Sequence, residues 1–235
     1  MIRVRPSGER GQADHGWLRA RHSFSFADYY DPAEMGWGAL RVINEDRVAP
    51  GTGFGRHGHR DMEIVTYILA GSLEHRDSLG NGGIIRRGEV QRMSAGTGIL
   101  HSEFNPSADE ETHLLQIWIE PALRGTAASY EQQVLAVDAM RGSWRLVASP
   151  DGADGSTTIG QDARLWASLL PPGQTLAYAL GERRLAYVHV VRGSLALNGV
   201  ALSGGDGAKV AEETDLRFVA DEEAEILLFD LPPND

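Results

Sequence analysis

From residue 39 onward the chain reads as short apolar runs broken by Gly, Asn and Asp: ALRVINEDRV, EIVTYILAGSL, GGIIRRGEVQRM, THLLQIWIE, WRLVASP, ARLWASLLPPG, LAYVHVVRGSLALNGV and EILLFDL. Short β-branched runs at regular spacing predict an all-β sandwich or barrel, not alternating βα units. Long amphipathic helices are hard to find, and SYEQQVLAVDAM (129–140) is the best short candidate. TYILAGSLEH (66–75) and VHVVRGSLAL (188–197) share an apolar strand, Gly-Ser-Leu, then a second strand. Each predicts a hairpin whose turn conformation comes from Gly71 or Gly193. The 122-residue separation is about half of the 235-residue chain and predicts two copies of one β-domain. PALRGTAASY breaks the strand pattern, so the boundary is expected between Pro121 and Ser143, giving domains 1–133 and 134–235.

Composition narrows the chemistry. There is no cysteine, which removes disulfides, thiolate nucleophiles and Cys-ligated metal sites, so any metal must be held by His and carboxylate. The opening MIRVRPSGER has no apolar h-region, and no run of apolar residues is long enough to span a bilayer. A cytoplasmic protein without membrane attachment is expected. A formal net charge of −11 argues against direct nucleic-acid binding, which draws its affinity from Lys and Arg neutralising phosphates. The adjacent pairs Arg86/Arg87 and Arg183/Arg184 read as solvated surface.

Two stretches carry candidate chemistry. In GFGRHGHRDMEIVTY (53–67), His57 and His59 stand one residue apart. On an extended strand, positions i and i+2 share a face about 6.6 Å apart, so the two imidazoles converge. In MSAGTGILHSEFN (93–105), a Gly-rich turn leads to His101 and Glu103 at the same spacing. Together they make a set of three imidazoles and one carboxylate, suited to Fe(II), Cu(II), Ni(II) or Zn(II) with positions open to water or substrate.

These motifs carry a resemblance. Gly51, five residues, His57-Gly58-His59, three residues and Glu63 look like the first cupin motif, and Gly98-Ile99-Leu100-His101 followed by Asn105 looks like the second. FGRHGHRDMEIVTYILAGSLEHRDSLGN and GEVQRMSAGTGILHSEFNP resemble the pirin family. ADHGWLRARHSFSFADYYDP and the closing LLFDLPP are similar to its bacterial pirin-like branch. The resemblance implies an all-β bicupin, two stacked cupin (jelly-roll) β-barrel domains with metal in the N-terminal one only. It implies His57, His59, His101 and Glu103 as ligands, with Gly58 where the family usually has Pro. Glu63 is the rival carboxylate or an orienting hydrogen-bond partner. Aligning the two Gly-Ser-Leu segments sets Ala179, Gly181 and Leu185 against His57, His59 and Glu63. Aligning GEV (88–90) with GDG (205–207) sets Phe218 and Ala220 against His101 and Glu103, so the second half has no ligand set. His15, His22, His75 and His189 are read as packing or surface residues, and His113 as facing the barrel interior. Phe54, Met62, Met93 and Trp118 are candidate pocket walls.

The resemblance further implies a quercetin 2,3-dioxygenase, which opens the flavonol heterocycle with O₂ and releases carbon monoxide. Its cofactor would be one divalent metal, with iron preferred and Ni, Cu, Zn, Mn or Co possible in purified protein. A metal binds the 3-oxyanion and holds the substrate where O₂ can meet it, and Glu103 is the candidate general base. The alternative is an iron-dependent, redox-sensing co-regulator using the C-terminal barrel as a protein-partner platform. A third reading is another dioxygenase, isomerase or lyase on the same scaffold.

Overall fold

A computed structural model describes residues 1–233. The described residues form twenty-two strands and three short 3₁₀ turns, arranged as four antiparallel-dominated sheets, two of seven strands and two of four. No helix among them is long and apolar enough to cross a membrane. In each half a seven-stranded sheet packs on a four-stranded one to make a barrel.

The strands at the centre explain the apolar runs. Glu63–Ala70, Leu185–Arg192 and Ala224–Leu231 are buried on both faces, which requires near-continuous hydrophobicity instead of alternation. One face fills its own barrel and the other packs against the opposite half. Val65, Tyr67, Leu115 and Ile117 join Leu165, Ala167, Tyr187 and Phe229 in one core cluster across the seam. Each Val, Leu, Ile or Phe among them contributes roughly 1.5–3 kcal/mol on burial. A polar knot crosses the same seam. Tyr67 Oη donates to Glu225 Oε1 at 2.8 Å, and Arg87 donates to both Glu225 oxygens at 2.7 and 2.6 Å.

Four expectations need correction. The two Gly-Ser-Leu segments are not hairpins. Glu63–Ala70 pairs with Glu89–Ser94 and Thr112–Ile119 in the large sheet, whereas Ser72–Asp77 pairs with Gly82–Arg86 and Ile99–Phe104 in the small one. Gly71 and Gly193 are therefore corners at which the chain changes sheet, at φ of +71° and +79°. A Cβ at Gly193 would lie 2.1 Å from the Glu223 carbonyl oxygen, and one at Gly71 would lie 2.9 Å from that of Glu111. Glycine is required by close approach as well as by φ.

SYEQQVLAVDAM is not a helix. Ser129–Val134 pairs with Glu89–Ser94 at the edge of the first large sheet, and only Val137–Met140 turns, as 3₁₀. The edge strand's hydrogen bonds to the sheet outweigh a weak local periodicity. The division at 133 fails at the other end of the chain, because Ile2–Arg5 joins the second half by pairing with Gly207–Val210. Finally, the second barrel turns Leu176 and Tyr178 inward, not Ala179. The first barrel carries a bulge between His101 and Glu103 against the strand Gly53–His59. Its counterpart pairs without one, and the alignment anchored on Gly71 and Gly193 is out of step by one residue in that strand.

Candidate metal centre and its pocket

The strand Gly53–His59 lies antiparallel to Ile99–Phe104, with His57 opposite His101 and Phe54 opposite Glu103. Opposed side chains on one face are about 4.5–5.5 Å apart at Cβ, which brings the two histidine motifs together. Gly53 permits this approach, since a Cβ there would lie 2.2 Å from the Glu103 carbonyl oxygen and 2.5 Å from Phe104 Cα.

Potential ligand atoms of His57, His59 and His101 all lie within 4.8 Å of one another, as do those of His75, His101 and Glu103. His101 belongs to both groups, so Glu103 is drawn together with His101 and His75 and not with His57 and His59. His57 Nδ1 sits 2.8 Å from the Gly55 carbonyl and donates to it, which leaves the Nε2 lone pair free. His57 Nε2 and His101 Nε2 face each other at 3.0 Å. That is the separation of two adjacent ligands on a metal at about 2.1 Å from each nitrogen.

His75 stands behind His101. Its Nδ1 lies 3.5 Å from His101 Nδ1, and its Nε2 lies 3.3 Å from Asp77 Oδ2. In this chain His101 donates to His75 and His75 donates to Asp77, which turns His101 Nε2 toward His57. Carboxylate–histidine partners of this kind orient metal ligands. His75 is thus neither loose packing nor surface, and Tyr130 stacks on it at 4.9 Å. The signal was available in SLEHRD, where His75 shares parity with the fully buried Leu73.

Burial sets the protonation states. It lowers His59 to about 4, helped by the neighbouring His57, and lowers His101 to about 2, helped by His57, His59 and His75. Both rings are neutral ligands at ordinary pH. Burial pushes Glu103 up to about 7, offset in part by a hydrogen bond from Gln116, whose Nε2 donates to Glu103 Oε2 at 2.9 Å. The other oxygen, Oε1, is buried without a partner. A partnerless carboxylate oxygen beside neutral imidazoles is a donor set that a divalent cation completes.

Beside this cluster is a cavity of about 450 Å³. Phe54 and Trp118 line it together with Trp17 and Phe26. Trp118 meets His59 edge-on at 4.9 Å, and Trp17 meets Phe54 edge-on at 5.2 Å. His22, Asn44, Asp46 and Gln116 supply the polar lining, and sequence reading missed Asp46 altogether. In VINEDRV the parity of Val42, Asn44 and Asp46 on a central strand was its only trace.

Four candidates lie elsewhere. Met93 is core with Ile64, Ala95 and Ile99, and Met62 packs on that cluster. His113 faces away from the barrel interior and pairs with Glu45 at 2.9 Å, because Leu114 and Gln116 take the inward parity. Glu63 accepts from Ser94 Oγ at 2.6 Å and points at Gly160 across the seam. Its neighbour Ile64 takes the inward position, so Glu63 neither joins nor orients the histidines.

Two β-barrels packed through their larger sheets, with a histidine cluster inside one, define a bicupin. The Pirin family model matches residues 3–119, and the model for the quercetinase C-terminal cupin domain matches residues 146–231. The chain belongs to the pirin family. It is 51% identical to the quercetin 2,3-dioxygenase of Escherichia coli K12 over 99% of this chain and 100% of that one. It is 46% identical to a pirin-like protein of Caulobacter vibrioides over 98% and 99%. The crystal structure of YhhW from Escherichia coli superposes with a TM-score of 0.97 at 47% identity, covering 100% of this chain and 99% of that one. A nickel(II) complex of the same bacterial pirin gives 0.96 at 47%, covering both chains in full.

Proposed function

We propose that this chain is a metal-dependent flavonol 2,3-dioxygenase, with His57, His59, His101 and Glu103 holding one divalent metal. The observation that carries the reading is the convergence of His57, His59 and His101, with Glu103 beside His101, at an aromatic-lined cavity. The name of the relative at 51% identity supports the substrate class, and the nickel(II) in the bacterial pirin supports a divalent ion. Iron(II) is the preferred metal; Ni, Cu, Zn, Mn or Co would occupy the same donors, since affinity follows availability as well as ligand type.

When bound, the metal acidifies the 3-hydroxyl and holds the flavonol for reaction with O₂. Both oxygen atoms enter the ring-opened ester, carbon 3 leaves as carbon monoxide, and no outside reductant is consumed. Glu103 would take the 3-hydroxyl proton through a weak, displaceable bond to the metal, because coordination to a cation lowers a carboxylate's pKa. Gln116 holds the opposite carboxylate oxygen and fixes its direction. Trp17, Phe54 and Trp118 provide flat apolar surface for the rings and exclude water.

The test is carbon monoxide release and quercetin loss by anaerobically Fe(II)-loaded protein exposed to O₂, beside an equally loaded His101→Ala variant. Stoichiometric CO over many turnovers, lost in the variant, is expected. Metal-loaded wild type that makes no CO would sink the proposal.

A further inference from the structure

The cavity contains a second carboxylate that the dioxygenase reading does not use. Asn44 and Asp46 are successive inward positions on the strand Leu40–Val48. Asn44 is spent on His22, whose Nδ1 is 2.8 Å from Asn44 Oδ1. Asp46 is only 4% exposed, and its Oδ1 is buried with no hydrogen-bond partner. Its register neighbours on the two flanking strands, Ala20 and Leu114, carry no polar group.

Burial of an unpaired polar group is costly, more so when it is charged, and such a group calls for an explanation. Desolvation, then the nearby Glu103 and Glu45, push the Asp46 carboxyl up to about 7. The place of Asp46 along the barrel supplies the explanation. Gln116, which holds Glu103, pairs with Asn44, and Leu114 pairs with Asp46. Asp46 therefore lies one inward step, about 7 Å, beyond the row that carries the candidate base. Ala20 and Leu114, which flank Asp46, pack with Leu18, and Trp17 and Phe54 pack against that cluster.

We propose that Asp46 is a specificity-determining residue that accepts a hydrogen bond from a ring hydroxyl of the substrate, remote from the metal-binding oxygens. The site would then select flavonols hydroxylated on their outer rings over the bare flavonol skeleton. This rests on the flavonol reading above, and it assigns Asp46 no part in the chemical step.

The probes are quercetin and 3-hydroxyflavone, which share the metal-binding end and differ in the outer hydroxyls. Their dissociation constants are measured under anaerobic conditions with metal-loaded wild type, Asp46→Asn and Asp46→Leu, with metal content and melting temperature as folding checks. Wild type is expected to prefer quercetin by at least about tenfold, the worth of one well-made buried hydrogen bond. Asp46→Leu should abolish the preference while leaving 3-hydroxyflavone affinity within about twofold, and Asp46→Asn, which still accepts, should keep part of it. A preference that survives in Asp46→Leu overturns the proposal, as does equal loss of both probes in a folded, metal-replete variant. If wild type binds neither flavonol, this inference and the dioxygenase reading fall together. If the preference is present and Asp46-dependent but no CO is released, the reaction assignment fails and the subsite stands.

Discussion

Replacing Asp46 by Asn should stabilise the metal-free protein, and by an amount that grows with pH. The folded-state pKa stands at about 7 against 3.8 for an ordinary aspartate. Between those values the unfolded chain has released its proton while the folded chain retains it. The unfolded state therefore binds fewer protons, and wild-type stability falls as pH rises through that window, levelling off above the folded pKa. At 1.36 kcal/mol per unit, the penalty is roughly 1.5 kcal/mol near pH 5 and roughly 4 kcal/mol near pH 8. Asn removes the titration but brings its own packing change, which does not vary with pH. The readout is thus the growth in the Asn advantage, about 2.5 kcal/mol between the two pH values. Urea unfolding of chelator-treated wild type and variant measures it, as a midpoint difference that widens by roughly 1 M for a slope of 2–3 kcal/mol/M. Glu103 titrates in both proteins, and its repulsion of Asp46, already part of the raised Asp46 pKa, is lost with the substitution. A stability difference that is the same near pH 5 and near pH 8 would refute the buried, unpaired carboxylate on which the substrate subsite depends.

Further outcomes follow from particular contacts. His75→Phe should keep the stack on Tyr130 but lose the hydrogen bonds to His101 and Asp77. Metal affinity, measured by competition with a chromophoric chelator, should weaken about 10–100-fold; unchanged affinity would show that His75 does not orient His101. Gly53→Ala should force the two ligand strands apart at Glu103, so the purified variant is expected to carry well below one metal per chain while remaining folded by circular dichroism. Glu225→Ala should cost about 3–5 kcal/mol, because it strands Arg87 and the Tyr67 hydroxyl at the seam between the barrels. A loss under about 1 kcal/mol in urea unfolding would show that the knot contributes little.

The parity of side chains on strands is what made part of this molecule readable in advance. His57/His59 and His101/Glu103 were legible because i, i+2 spacing on an extended segment already defines a face, and pairing of the two strands required only that the faces meet. The repeat of Gly-Ser-Leu pointed to two similar halves for the same local reason. Its misreading as a pair of hairpins came from treating adjacency in sequence as adjacency in one sheet, whereas Gly71 and Gly193 turn the chain between sheets. Glu63 and His113 failed because inward or outward parity depends on where a strand enters the sheet, and that is set by partners distant in sequence. Ile2–Arg5 pairing with Gly207–Val210 is a contact across almost the whole chain, which no local pattern encodes. Asp46 was overlooked, and His75 was read only as packing or surface, because a single polar residue on a buried face carries no motif; only the neighbours it lacks or finds reveal its role.

The contrast between the halves shows what converts a common barrel into a site. Where the first barrel sets His57, His59, His101 and Glu103 inward, the second fills the corresponding strands with Leu176, Tyr178, Leu216, Phe218 and Ala220. Those side chains close the interior as a packed core. They also support a rigid sheet whose outer face carries Leu165, Ala167, Tyr187 and Phe229 against the first barrel. The cost of burying Glu103 and Asp46 without full partners falls on the first barrel alone. The apolar seam and filled second barrel offset that cost, so the strained polar interior can be held in place until a cation and a hydroxylated ligand supply the missing partners.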